Sequence, residues 1–273
     1  MIVEKAVWMI ERNADQPLTL NGVAEACGVS RSHLANAFGS ATGTPLIKYL
    51  RGRRLSEAAR ALAEGAPDIL SAGYGSHEAF TRAFRDQFGL TPEAAREIGG
   101  LDAQALVAPL EFRPTAFPRL SPPRLERADA VRAVGLAQSV SFDALVEIPA
   151  QWRRFMSRHD EITAPLDSIP IGVCHPADED GVFTYVAAAE VARFGTLPKG
   201  FSGVDIEPRL CAVFEHPGHV STIFETYTAI WNEALPATGQ GLAEGPVIER
   251  HNPSFDPETG EGGLTLWIPV TQP

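Results

Sequence analysis

Histidine and cysteine have the widest chemical range of the side chains in this 273-residue chain, and they are few. His216 and His219 stand three apart in "EHPGH", and Cys174 precedes His175. No four-ligand spacing gathers these donors, and "HPGH" reads as a strand-to-helix turn, so neither a metal nor another cofactor is expected. Cys27, Cys174 and Cys211 form no C-x-x-C pair and no even framework, which suits reduced core thiols in a cytoplasmic protein. No Ser-His-Asp set or pair of carboxylates points to hydrolysis by itself. Arg51, Arg53, Arg54 and Arg60 cluster on one helical stretch, suited to a solvated face or to phosphates.

Basic side chains read a nucleic acid only if an element presents them, and two stretches could do so. A helix-turn-helix needs a bracing helix, a tight turn eased by glycine and a recognition helix. In "LTLNGVAEACGVSRSHLANAF" (18–38), Val23 and Ala24 pack, Gly28 turns, Ser30 caps, and Leu34 and Phe38 anchor the second helix. "PDILSAGYGSHEAF" (67–80) repeats the pattern with a difference. Leu20 lies eight residues before Gly28, whereas Ile69 lies only four before Gly73. Four residues are about one helical turn. Ile69 to Ala72 is too short for a stable helix, and Pro67 bars continuous helix from upstream. The spacing predicts a second bracing helix absent or reduced to one turn. The second recognition helix, about 76–88, is expected to persist on Phe80, Phe84 and Phe88. DNA affinity would then depend on the first motif or on a dimer.

The elements fall into two regions. Residues 1–98 read as helical and carry 11 Lys+Arg against 11 Asp+Glu, while residues 101–273 carry 12 against 23. The net charge of −11 therefore belongs to the second region. It argues against wholesale coating of nucleic acid but permits a neutral module with arginines on one face. Residues 99–127 hold five prolines and little periodicity, and read as a linker. From 128 to 273 two passes of β-α-β-β follow, with Trp152 and Trp231 in comparable helices. The expected architecture is multi-domain: an all-α tandem helix-turn-helix domain, then an α+β domain of duplicated β-α-β-β units. The latter forms one antiparallel sheet with both helices on one face and a ligand cleft at the junction of the repeats. No apolar run approaches the ~18 residues of a membrane span, and the first residues are unlike a signal peptide.

"GVSRSHLANAFGSATGTPLIKYL" and "GYGSHEAFTRAFRDQFGLTPEAAR" resemble the AraC/XylS family of transcription regulators. The signature F-x-R-x-F-x-x-x-F-G-x-T-P is met by Phe80, Arg82, Phe84, Phe88, Gly89, Thr91 and Pro92. The resemblance implies double-stranded promoter DNA as partner. Arg31, Ser32, His33, Ala35 and Asn36 would lie on or near the first reading edge, and His77, Glu78, Thr81 and Arg82 on the second. Ala35 offers only an apolar contact, and Asn36 stands where several members have arginine, so direct readout by the first motif is thin.

"IPAQWRRF", "IGVCHPADEDGVFTYVAAAEV", "CAVFEHPGHVSTIFETYTAIWNEALPATG" and "PVIERHNPSF" resemble the GyrI-like small-molecule-binding domain. That resemblance implies a buried glutamate among aromatics, here Glu249 with Trp152, Tyr185, Phe214, Trp231 and Trp267, facing a cationic or amphiphilic effector. His251 stands where the family often has tyrosine. The implied function is a one-component regulator, monomeric or homodimeric. Alternatives are a ligand-sequestering protein with impaired DNA binding, and a hydrolase using Glu249 as general base.

Overall fold

The computed structural model describes residues 1–13, 18–65, 74–110, 117–167, 169–256 and 259–271. Helix α1 (Ile2–Arg12) buries Ile2, Val3, Ala6, Val7 and Ile10. Helix α2 (Leu20–Cys27) starts where the Thr19 hydroxyl accepts the Gly22 N–H at 3.1 Å. It stops at Gly28, whose φ of 73° suits a residue without Cβ. Helix α3 (Arg31–Thr42) is capped by Ser30, as its spacing predicts. Helices α4 (Leu46–Ala63), α5 (His77–Phe88) and α6 (Pro92–Glu97) complete the module. The expected recognition helix of the second motif is α5, capped by Ser76. The expectation for its shortened bracing helix falls on residues 66–73, outside the described residues.

Arginine is not uniformly available on α4. Arg53 is only 3% exposed. Its guanidinium donates to Glu11 at 2.7–3.0 Å, to Glu57 at 2.9 Å and to the Val107 carbonyl at 2.8 Å. This clamp joins α1, α4 and the chain after α6, so Arg53 holds the module together rather than meeting phosphates. Val107 N–H also donates to Ser56 Oγ, and Leu110 N–H to the Tyr49 hydroxyl. The first part of the expected linker is thus seated on α4.

The C-terminal region is an eight-stranded sheet in the order β1-β6-β8-β7-β3-β4-β2-β5, antiparallel throughout. Its strands are β1 (Arg124–Ala128), β2 (Val131–Ser141), β3 (Ile171–Cys174), β4 (Val182–Glu190), β5 (Ser202–Ile206), β6 (Arg209–His216), β7 (Val247–His251) and β8 (Leu264–Pro269). Helix α7 (Ile148–Met156) follows β2, and helix α8 (Ile223–Ala229) follows β6. The end of the expected linker, residues 124–127, is corrected: it belongs to β1. Strand β5 was likewise unread, so each repeat is β-β-α-β-β. The leading strands are exchanged, with β1 pairing β6 of the second repeat and β5 pairing β2 of the first.

The repeats meet where β7 pairs β3. Ala187, Gly172, Glu249, Leu266 and Phe214 form one row across that junction, because each is the register partner of the next. They share a face, and α7 and α8 cover that same face: Ala187 packs with Phe155 of α7, and Leu266 with Ile230 beyond α8. The opposite face carries Val173, Ile248 and partly buried Trp267, over which the sheet curls. No helix among the described residues is long and apolar enough to cross a membrane.

The two regions are not held at a distance. One hydrophobic cluster runs from Val3, Ile10, Leu34 and Phe38 of the helical module to Phe214, Ile230, Trp231 and Leu266 of the sheet domain.

Candidate functional site

Glu249 sits at the repeat junction and is 6% exposed. Its Oε2 accepts the Tyr185 hydroxyl at 2.5 Å and its Oε1 the Tyr227 hydroxyl at 2.7 Å. Burying a carboxylate is costly unless donors replace water, and these phenols do so. Among the described residues Glu249 has no Lys or Arg partner. Burial, and then the Glu249 charge, push both tyrosines well above the ordinary phenol range. The same two causes raise the Cys174 thiol, which keeps it protonated.

Space for this arrangement comes from Gly172. A Cβ there would lie 2.4 Å from the Tyr185 oxygen and 2.5 Å from Glu249 Oε2. Behind Tyr185, Trp152 Nε1 donates to its hydroxyl at 3.1 Å. On the other side Tyr227 stacks on Trp231 with planes 13° apart. His251 lies edge-on to Trp152 and donates Nδ1–H to the Pro170 carbonyl.

Of the residues expected around Glu249, Tyr185 touches it, while Trp152 and Trp231 are one residue removed. Phe214 shares its row but is wholly buried two strands away. Trp267 does not share the face. It follows Leu266, so alternation points it to the other side, where the Arg250 guanidinium lies 5.5 Å over its ring. Tyr227, Gly172 and Cys174 were missed. Tyr227 carried a signal, standing four residues before Trp231 on a helix.

A cavity of about 660 Å³ opens beside Tyr227 and Trp231. One wall is Phe142, Phe183, Tyr227 and Trp231 from the sheet domain. The other is Ser30, Ser32, Asn36 and Ser40, a cap and a stripe of the first recognition helix. That helix is docked. His33 is 4% exposed and donates Nε2–H to the Trp231 carbonyl at 2.7 Å. Asn232 donates to the Ala37 carbonyl at 3.0 Å and accepts the Val3 N–H at 3.1 Å. Thr228 Oγ1 donates to the Ser40 carbonyl at 2.9 Å.

The Trp231 carbonyl is available because α8 runs into a π turn at Ile230–Ala234. Leu235 N–H closes on Ile230 instead, and the next residue, Pro236, has no N–H to offer. Around this contact, charges pair across the domains. Arg31 meets Glu179 of the β3–β4 turn, and Lys48 meets Asp143 at 2.9 Å. Gly39 lets the Phe142 ring approach, since a Cβ there would lie 2.3 Å from it.

The candidate DNA-reading residues therefore divide. His33 is buried, Ala35 and Asn36 are half-buried, and Arg31 and Ser32 are exposed beside the effector domain. On α5, His77, Glu78 and Arg82 are exposed and Thr81 is half-exposed. His77 lies 3.6 Å from Glu93. His216 and His219 serve their own loop: His216 bonds Thr226 Oγ1 at 2.8 Å, and His219 bonds the Thr259 carbonyl at 2.7 Å.

Known proteins share these features. A family model described as a GyrI-like small molecule binding domain matches residues 121–271, which includes β1. One described as a helix-turn-helix domain matches residues 23–98. The chain is similar to the right origin-binding protein of Escherichia coli (strain K12), 27% identical over 278 residues covering 97% of this chain and 95% of that protein. It is also similar to the transcriptional regulator Rob of Salmonella typhimurium, 28% identical over 281 residues with 97% and 95% covered. The multiple antibiotic resistance protein MarA of Escherichia coli (strain K12) is 36% identical over 91 residues, 32% of this chain and 72% of MarA. The chain belongs to the AraC-type helix-turn-helix regulators that carry a GyrI-like small molecule binding domain.

Proposed function

We propose that this chain is a one-component transcriptional regulator whose DNA binding responds to an aromatic or amphiphilic cation taken up by the sheet domain. The observation that carries the ligand class is Glu249, a buried carboxylate among aromatic rings with tyrosine hydroxyls and no cation of its own among the described residues. A cation arriving nearby gains from a negative charge already desolvated and from the faces of Tyr227 and Trp231. Both carboxylate oxygens already accept hydrogen bonds from phenol hydroxyls, which suits a fixed charge better than a base free to take a proton from substrate. On the DNA side, α5 offers an exposed reading edge, with Arg82 available to a base or a phosphate.

Calorimetric titration of the full chain with tetraphenylphosphonium, an aromatic cation, tests the ligand class. Glu249→Gln keeps the size of the side chain and removes its charge, so affinity is expected to fall about tenfold or more, a typical value for one buried charge contact. Equal affinity in the variant would contradict the assignment. Gel shifts on the gene's own upstream duplex at rising salt test the DNA arm. Binding that weakens steeply with salt is expected, and no binding at low salt would contradict it.

A further inference from the structure

We infer that the cavity between α3 and the sheet domain is a ligand site built by both domains, and that a neutral or cationic aromatic molecule held there keeps the first recognition helix away from DNA. The inference rests on the regulator reading above and adds the direction of coupling.

The cavity's composition sets the ligand class. Its sheet-domain wall is aromatic, and its α3 wall is a row of hydroxyls and one amide, Ser30, Ser32, Asn36 and Ser40. Its volume suits a drug-sized molecule. Among the described residues its lining contains no Lys or Arg, burial holds its His175 below the ordinary histidine range, and its carboxylate is Glu244. Anions therefore find no counter-charge, while an aromatic body with hydrogen-bonding edges finds partners on both walls.

The direction follows from geometry. Helix-turn-helix proteins read bases with residues of the recognition helix, mainly near its N-terminus. Here Ser32 and Asn36 of that edge face the cavity, and Arg31 is paired with Glu179. Entry of α3 into a groove requires breaking the His33–Trp231, Asn232–Ala37 and Thr228–Ser40 bonds. A ligand touching both walls has its full contacts only while they hold, so it favours the docked state. By linkage, DNA that captures α3 weakens the ligand by the same factor. Effector and first motif are antagonists, and in the docked state α5 is the recognition helix left for DNA.

The test uses the full chain, tetraphenylphosphonium as probe and a fluorescein-labelled duplex from the gene's upstream region. Saturating probe is expected to weaken duplex binding about fivefold or more, in the usual range of such couplings. Ser32→Trp, which places a large side chain on the α3 wall far in sequence from the sheet domain, is expected to lower probe affinity at least about tenfold. Circular dichroism checks that the variant folds. Should it fail to fold, Asn36→Phe is the replacement on the same wall, with the same expected loss. Probe binding that is equal in the α3-wall variant, or duplex binding that tightens with saturating probe, overturns this inference and leaves the regulator reading standing, whereas duplex binding indifferent to saturating probe overturns both. Absence of any probe binding to the wild-type chain overturns both.

Discussion

At the scale of residues, two positions decide the site. Gly172 leaves the space that Glu249 and Tyr185 occupy. Gly172→Ala is expected to cost about 1–3 kcal/mol, as overpacking of a dense interior does, and to lower the thermal midpoint by several degrees. A melting curve equal to wild type would show that Glu249 is not held this way. His33 is the other deciding position. Burial holds it below the ordinary histidine value of 6.5, opposed by its bond to the Trp231 carbonyl. Once undocked it titrates near that ordinary value, so below pH ~6.5 the undocked state binds more protons. Docking is therefore fully present above that pH and weakens as pH falls through it. Duplex affinity should rise more between pH 7.5 and 5.5 in wild type than in His33→Gln, and identical pH profiles would refute the link. Neither role was legible in the sequence. Gly172 resembles any strand glycine, and the docking of His33 depends on a carbonyl almost two hundred residues away.

At the scale of elements, local pattern was legible and register was not. Strand β2 and helices α3 and α5 follow from caps, glycine stops and apolar spacing. Strands β1 and β5 were missed because five-residue edge strands such as "RLERA" and "SGVDI" show no apolar alternation long enough to read. Trp267 was assigned to the cleft because its type fits, whereas its face is set by the pairing of β7 with β8. Element-level contacts also make testable claims. Gly39→Ala puts a methyl against Phe142 while raising the helix propensity of α3 by about 1 kcal/mol. The expected result is a looser interface and duplex affinity raised several-fold by anisotropy, and unchanged affinity would contradict the docking role of this glycine. On the exposed helix, Arg82→Ala should weaken duplex binding. If Arg82 meets a phosphate, the salt slope falls by about one; if it meets a base, sequence preference relaxes.

At the scale of the molecule, the DNA-binding module and the effector domain share one hydrophobic cluster through α1, α3, α8 and the π turn. The spacing of the two motifs rests DNA affinity on the first motif or on a dimer, since the bracing stretch before Gly73 is shorter than the one before Gly28. The structure docks the first recognition helix on the effector domain and leaves the face of α5 open. Such an arrangement was invisible locally, although small residues along α3 (Ser32, Ala35, Asn36, Gly39 and Ser40) suit close approach of another surface better than reach into a groove. The most direct measurement is hydrogen exchange of the full chain with and without its upstream duplex, followed in peptides covering Ile223–Ala237. This segment holds α3 and belongs to the effector domain rather than the DNA-binding module. If DNA takes α3 from its dock, exchange in Ile223–Ala237 accelerates when duplex is added and slows again with saturating tetraphenylphosphonium. Duplex binding that leaves exchange there unchanged would contradict the account.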